Sequence, residues 1–145
     1  MYVSNTEQWL EWATELDVVL LALDDCDLEC DGMTTVISHA LGAAGIEHTS
    51  LCGFAKDLAG GDIVMPHCWI ELEGGWIIDY RLRMWLGDHE RIPHGVFHSE
   101  NSGFEYQGHP MRAAGYSLTM LHELTDGQIA KVRVPPLPET ADGTP

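Results

Sequence analysis

The segment His67-Cys68-Trp69-Ile70-Glu71-Leu72-Glu73-Gly74-Gly75-Trp76-Ile77-Ile78-Asp79-Tyr80 sets two short apolar runs on either side of a glycine pair. That pattern predicts a β-hairpin. Two-residue hairpin loops need positive φ, which Gly-Gly supplies at no steric cost. The hairpin brings the start of one strand beside the end of the next, so His67 and Asp79 are expected as cross-strand neighbours within hydrogen-bonding reach. A carboxylate that orients an imidazole is half of a nucleophilic triad. The sequence offers a nucleophile upstream, at Cys30.

Cys30 stands at or beside the start of a predicted helix over 31–44, whose apolar stripe is Met33, Val36, Ile37, Ala40 and Leu41, with Gly45 at its C-terminal end. Backbone N–H groups point outward at a helix N-terminus, and the dipole there favours an anion. A thiolate in that place has a lowered pKa and is a better nucleophile at neutral pH. The acidic run before it, with Asp24, Asp25, Asp27 and Glu29, opposes this shift. The run lacks the glycine and distal glutamate of an EF-hand loop, which argues against Ca²⁺.

Further elements follow from the same reading. An earlier helix is expected over 6–23, carrying Trp9, Leu10, Ala13, Leu16, Leu20 and Leu21 on its packing face, with Trp12 off that face and turned to a neighbouring segment. Residues 47–54 read as a strand with Leu51 and Phe54 in the core, and 56–62 as a loop. Residues 91–109 read as a long loop with short strands near Val96-Phe97 and 104–106. Residues 116–124 fit helix or strand, 129–134 a last strand, and 135–145 a flexible tail. Residues 1–134 then form one domain, with no repeat or linker to divide it.

Charge limits the partners. Twenty-three acidic residues against seven basic ones give a formal charge of −16. Nucleic acid and anionic membranes both require Lys and Arg, so neither is expected as a partner. A basic or neutral peptide or protein substrate is compatible. The N-terminus has no basic stretch followed by an apolar one, and the longest apolar run, 18–23, is too short to span a bilayer. Four cysteines in a chain of 145 residues are too few to serve as a disulfide framework. A cytoplasmic protein with reduced thiols is expected, with Cys52 and Cys68 structural and Cys68 on the strand face opposite His67.

The residues from Cys30 to Ile46, then Cys52-Gly53-Phe54, then His67-Cys68-Trp69-Ile70-Glu71, then Gly75-Trp76-Ile77-Ile78-Asp79, resemble in order and spacing the core of the transglutaminase-like superfamily. That superfamily places a Cys at the start of a helix ending in Gly-Ile, a strand ending in Gly plus an aromatic, His-x-Trp-x-Glu, and Gly-Trp-x-x-Asp. The resemblance covers about Cys30 to Tyr80. It implies an α+β, papain-like fold with the nucleophile helix packed on a small antiparallel sheet. It also implies a catalytic Cys30, His67, Asp79 triad, with Trp69 and Trp76 as substrate-binding positions and no cofactor or metal. Members include transglutaminases, proteases, peptide N-glycanases, deamidases and leader peptidases, and the fold does not choose among them. This chain departs from the pattern in the acidic residues before Cys30 and in its short length. The implied reaction is acyl transfer at an amide bond, with hydrolysis as the default and amine transfer to a protein glutamine as the alternative.

A different class of reading starts from His89, His94, His98 and His109, which cluster in a Gly-rich region. With Cys26 and Cys30 they offer zinc-ligand chemistry, although their spacings fit no standard zinc signature. That would make the protein a zinc- or partner-binding module. A catalytically dead member of the fold is a third possibility.

Overall fold

The computed structural model describes residues 5–112 and 115–138. It is an α+β protein in which four helices accompany one five-stranded antiparallel sheet. Helix α1 (Asn5–Asp24) leads through a tight turn to helix α2 (Cys30–Ala43). Strands β1 (Thr49–Asp57), β2 (Ile63–Glu71) and β3 (Trp76–Asp79) follow. The short helix α3 (Arg83–Leu86) precedes β4 (Gly95–His98), and β5 (Phe104–Pro110) and helix α4 (Leu118–Leu124) complete the elements. The strand order is β4-β3-β2-β1-β5, which leaves β2 inside the sheet and β4 and β5 at its edges.

Helix α2 forms as its sequence dictates. Met33, Val36, Ile37, Ala40 and Leu41 are all buried. Gly45 adopts φ 75, and the N–H groups of Gly45 and Ile46 close back on the carbonyls of Gly42 and Leu41, a Schellman motif that leaves Ile46 packed in the core. Helix α1 buries the expected Ala13, Leu16 and Leu20 and packs Trp9 partly against the core, but its buried stripe is shifted to take in Trp12 and Leu23. Trp12, Ala13, Leu16, Leu20 and Leu23 enter the core, whereas Leu10 and Leu21 are exposed. Apolar residues surround this helix on more than one side, so spacing alone does not fix its phase. The Trp12 indole N–H donates to the Pro135 carbonyl at 3.0 Å, and Pro135 is buried. The expected tail is therefore docked at its start; residues 139–145 lie outside the described residues.

The hairpin exists with a different turn. Leu72 N–H bonds the Trp76 carbonyl at 2.8 Å around a 3₁₀ turn, Glu73–Gly75, in which Gly74 and Gly75 take φ 81 and 88. Three residues, rather than the glycine pair alone, make the connection. Ile70 pairs with Ile78 and Glu71 with Ile77. Continuing that register puts Asp79 opposite Trp69, so His67 and Asp79 are diagonal neighbours on one face rather than a direct pair.

Strand β1 runs to Asp57, through part of the expected loop, and Ala55 rather than Phe54 is its fully buried residue in that stretch. Between Gly53↔His67 and Ala55↔Val64, Phe54 alone faces Met65 and Pro66. Pro66 has no N–H to contribute to the ladder, and a bulge is where a sheet accepts such a residue. At Gly53 a Cβ would collide with the Gln107 carbonyl, so glycine is what lets β5 approach β1.

The sheet carries apolar side chains on both faces. Ile70, Leu72, Trp76 and Ile78 join α1, α2 and Leu121 in the larger core. Leu51, Trp69 and Ile77 pack on the other face with Phe97 and Tyr106, beside a cluster of Ala55, Val64, Leu82, Ile92 and Phe104. Residues 118–124 resolve as helix, capped by the Ser117 hydroxyl. The expected strand over 129–134 is instead a 3₁₀ helix, Gln128–Lys131, followed by chain with no strand partner among the described residues. Apolar residues there pack on the large core one side at a time, which needs no ladder. Among the described residues no helix is long and apolar enough to cross a membrane.

Candidate active site

Cys30 is the first residue of α2, after Glu29 in extended conformation. The turn that delivers it is held by a buried guanidinium. Arg81 Nε donates to the Leu28 carbonyl at 2.6 Å, and Nη2 to the carbonyls of Asp24 and Cys26 at 2.9 and 3.0 Å. Arg81 Nη1 donates to Asp24 Oδ1 and to the Tyr80 carbonyl, both at 2.8 Å. The acidic turn is thus wrapped around an arginine from the far end of the hairpin. Its planar fork of donors suits several fixed acceptors at once. His94 Nε2 meets the other oxygen of Asp24 at 2.9 Å.

The hairpin supplies the rest. His67 is fully buried, and its Nε2 lies 2.7 Å from Asp79 Oδ2. A carboxylate only accepts, so Nε2 carries the proton in this bond and Nδ1 is the other, free ring nitrogen. Nδ1 makes no hydrogen bond to a described residue, while the Cys30 thiol is close enough to the imidazole for each to shift the other's proton affinity. Asp79 is itself fixed. Tyr106 O–H donates to Oδ2 at 2.9 Å, and Arg81 N–H donates to Oδ1 at 3.0 Å. The Trp69 ring stacks on His67 at 6.1 Å between centroids and meets Tyr106 edge-on at 5.1 Å. The imidazole therefore has one orientation available.

The electrostatics separate the thiols. Half-burial pushes the Cys30 thiol up, but the His67 side chain, the Cys68 backbone N–H and the His67 charge together bring it below its ordinary value. Burial opposes protonation of His67. The Asp79 bond and the Cys30 thiol outweigh it and raise the imidazole to about 9. A lowered thiol facing a raised imidazole favours transfer of the Cys30 proton to His67. Burial pushes the Cys26 and Cys68 thiols the other way. All four cysteines are free.

A cleft of about 660 Å³ opens at Cys30, lined by Glu29, Asp31, Cys52, Cys68, the stretch from Ile63 to Pro66, and Trp85 and Leu86. Cys68 shares its strand face with Ile70, opposite His67 as alternation requires, and still borders Cys30 across this cleft. A hollow of about 690 Å³ lies elsewhere, lined by residues such as Glu47, His48, Glu71 and Glu73, and none of the three candidate catalytic residues reaches it.

The structure thus brings Cys30, His67 and Asp79 together. Trp69 is buried against His67, and Trp76 is buried in the large core against His98, so neither offers a surface to a substrate here. The other histidines are dispersed: His94 on Asp24, His98 Nε2 on the Gly74 carbonyl at 2.8 Å, His109 opposite Cys52 on the edge strand, and His89 exposed. Cys26 points its thiol at the Thr125 carbonyl. Among the described residues no group of three or more His, Cys, Asp or Glu side chains is arranged to hold a metal ion. Sequence reasoning passed over Tyr106 and Arg81. A tyrosine on a short strand was the one available signal for the former. An arginine directly after the hairpin, in so acidic a chain, was the signal for the latter. Comparisons with protein-family models, curated proteins and solved structures found no match to this chain.

Proposed function

We propose that this protein is a cysteine-dependent enzyme that cleaves an amide bond by acyl transfer, on a papain-like, transglutaminase-like core. One observation carries the reading. A buried carboxylate holds the Nε2–H of a fully buried histidine and leaves Nδ1 without a partner, and that histidine lowers the proton affinity of a thiol at the start of a helix. In this mechanism His67 Nδ1 takes the Cys30 proton, and the thiolate attacks the amide carbonyl. The backbone N–H of Cys30, in the first turn of α2, serves in this reading as a donor to the developing oxyanion. The imidazolium then protonates the departing amine. Water, deprotonated by His67, attacks the thioester, releases the acid and returns the thiol. Asp79 keeps the ring in the required tautomer and stabilises its cation. Tyr106 and Arg81 act through Asp79 and through the turn, as positioning residues. Free thiols in the cleft need a reducing setting, which is the basis for placing the protein in the cytoplasm.

The test is the alkylation rate of each cysteine against pH, resolved by mass spectrometry, on the native protein and on His67→Ala. Cys30 is expected to react fastest below pH 7 and to lose that advantage without His67. A Cys30 no faster than Cys52 overturns the reading.

A further inference from the structure

We propose that the cleft at Cys30 recognises an extended polypeptide segment in which a bulky apolar side chain lies next to a lysine or arginine, and that this is the substrate class of the thiol site. The inference rests on the reading of Cys30 as a nucleophile and adds what that nucleophile is presented with.

Three large apolar residues border the cleft without being buried: Met65 is 70% exposed, Trp85 58% and Ile63 57%. Ile63 and Met65 are both exposed on β2 on either side of buried Val64, with Met65 in the bulge, and Trp85 comes from α3. Large apolar groups left in water and gathered at one opening mark a binding surface rather than a packing defect. A volume of about 660 Å³ holds a few residues of a peptide and not a folded domain. This wall therefore selects an apolar side chain on a flexible chain.

Charge selects its neighbour. Glu29 and Asp31 flank Cys30, both are exposed, and among the described residues no lysine or arginine lines the cleft. The protein as a whole carries −16. A cationic side chain beside the reacting carbonyl gains from these carboxylates and from the thiolate, whereas an anionic one is repelled by all of them. An apolar wall and an acidic rim on either side of one sulfur specify a segment that is apolar and basic within a residue or two of the amide.

The experiment is protection of Cys30 from iodoacetamide by peptides, on the full chain. The probes are Gly-Gly-Lys-Leu-Gly-Gly, its Leu-to-Gly counterpart and its Lys-to-Glu counterpart, all capped at both ends. The first is expected to protect at about tenfold lower concentration than the Leu-to-Gly peptide, the scale of one apolar group in a pocket. It should protect about two- to fivefold better than the Lys-to-Glu peptide, the scale of an exposed charge pair. Met65→Asp combined with Trp85→Ala should erase the Leu preference, and Glu29→Lys should reverse the Lys preference. If Cys30 alkylates fast and in a His67-dependent way, but the three peptides protect equally or not at all, this substrate class is wrong and the thiol reading stands. If Cys30 alkylates slowly with or without His67, the thiol reading fails and this inference falls with it.

Discussion

Asp79→Asn is the sharpest perturbation of the proposed chemistry, because it changes a charge and almost no volume. In the native protein the imidazole is raised from 6.5 to about 9 against the opposition of its own burial. At about 1.4 kcal/mol per unit that rise is worth about 3 kcal/mol. The Asp79 hydrogen bond is the largest raising influence, ahead of the thiol. Asn leaves the burial in place and removes the charge, so the ring should fall by about two units. The balance between thiolate–imidazolium and neutral thiol–imidazole then shifts toward the neutral pair by about 3 kcal/mol. At pH 6.5 the Cys30 alkylation rate should drop ten- to a hundredfold, while at pH 10, above the ordinary thiol value, native and variant should converge. Asn still offers an oxygen to Tyr106 O–H, so the fold should survive with a loss of about 1–3 kcal/mol. Near-ultraviolet circular dichroism and urea titration report on that separately. A folded Asp79→Asn protein that keeps more than a fifth of the native rate at pH 6.5 would refute the electrostatic argument for the pair.

The remaining expectations use the same contacts. His67 binds its proton more tightly folded than unfolded, so its contribution to stability is complete below about pH 6.5 and fades as pH rises through about 9. Measured on Cys30→Ala, which removes the opposing thiol titration, urea stability should decline by about 1–2 kcal/mol across that window; with Asp79→Asn added, most of the decline should vanish. Tyr106→Phe deletes one donor to a buried carboxylate and should cost about 1.5–3 kcal/mol of unfolding free energy, with no cavity to blame. Arg81→Met strips the turn before Cys30 of its donors and should cost about 3–5 kcal/mol while slowing Cys30 alkylation, an effect that a purely structural role far from the thiol would lack. Gly53→Ala should part β5 from β1, seen as loss of the Tyr106 fluorescence environment or as failure to fold; an unchanged urea midpoint would contradict the close approach.

Much of this site is legible along the chain because its parts are local. Helix α2 announces itself through one uninterrupted stripe and a glycine that can only be a cap, and that places Cys30 at a helix start. The pairing of His67 with Asp79 follows from a hairpin, whose partners are near in sequence. The detail of that pairing goes beyond the glycine pair. It depends on a three-residue turn, which sets the register between β2 and β3. The roles of Tyr106 and Arg81 are not local: they meet Asp79 and the 24–29 turn across 27 and 57 residues, respectively, and no period or spacing encodes such contacts. The phase of α1 escaped because Leu10, Val18 and Leu21 are as apolar as the residues it buries, and tertiary packing alone chooses between the faces. Residues 129–134 misled through composition, since apolar chain covering a core can look like a strand without pairing.

The position of β2 has a consequence for how the protein loses its shape. His67 sits on a strand flanked by β1 and β3, and those are covered in turn by β5 and β4. The amides of Ile70 and Glu71, paired on both sides, are expected to exchange with deuterium more slowly than those of the edge strands, and the contact between Trp12 and Pro135 is expected to open before the sheet does. The histidine and its carboxylate therefore belong to the last unit to open. Partial opening at the termini leaves them in place, and their loss coincides with global unfolding.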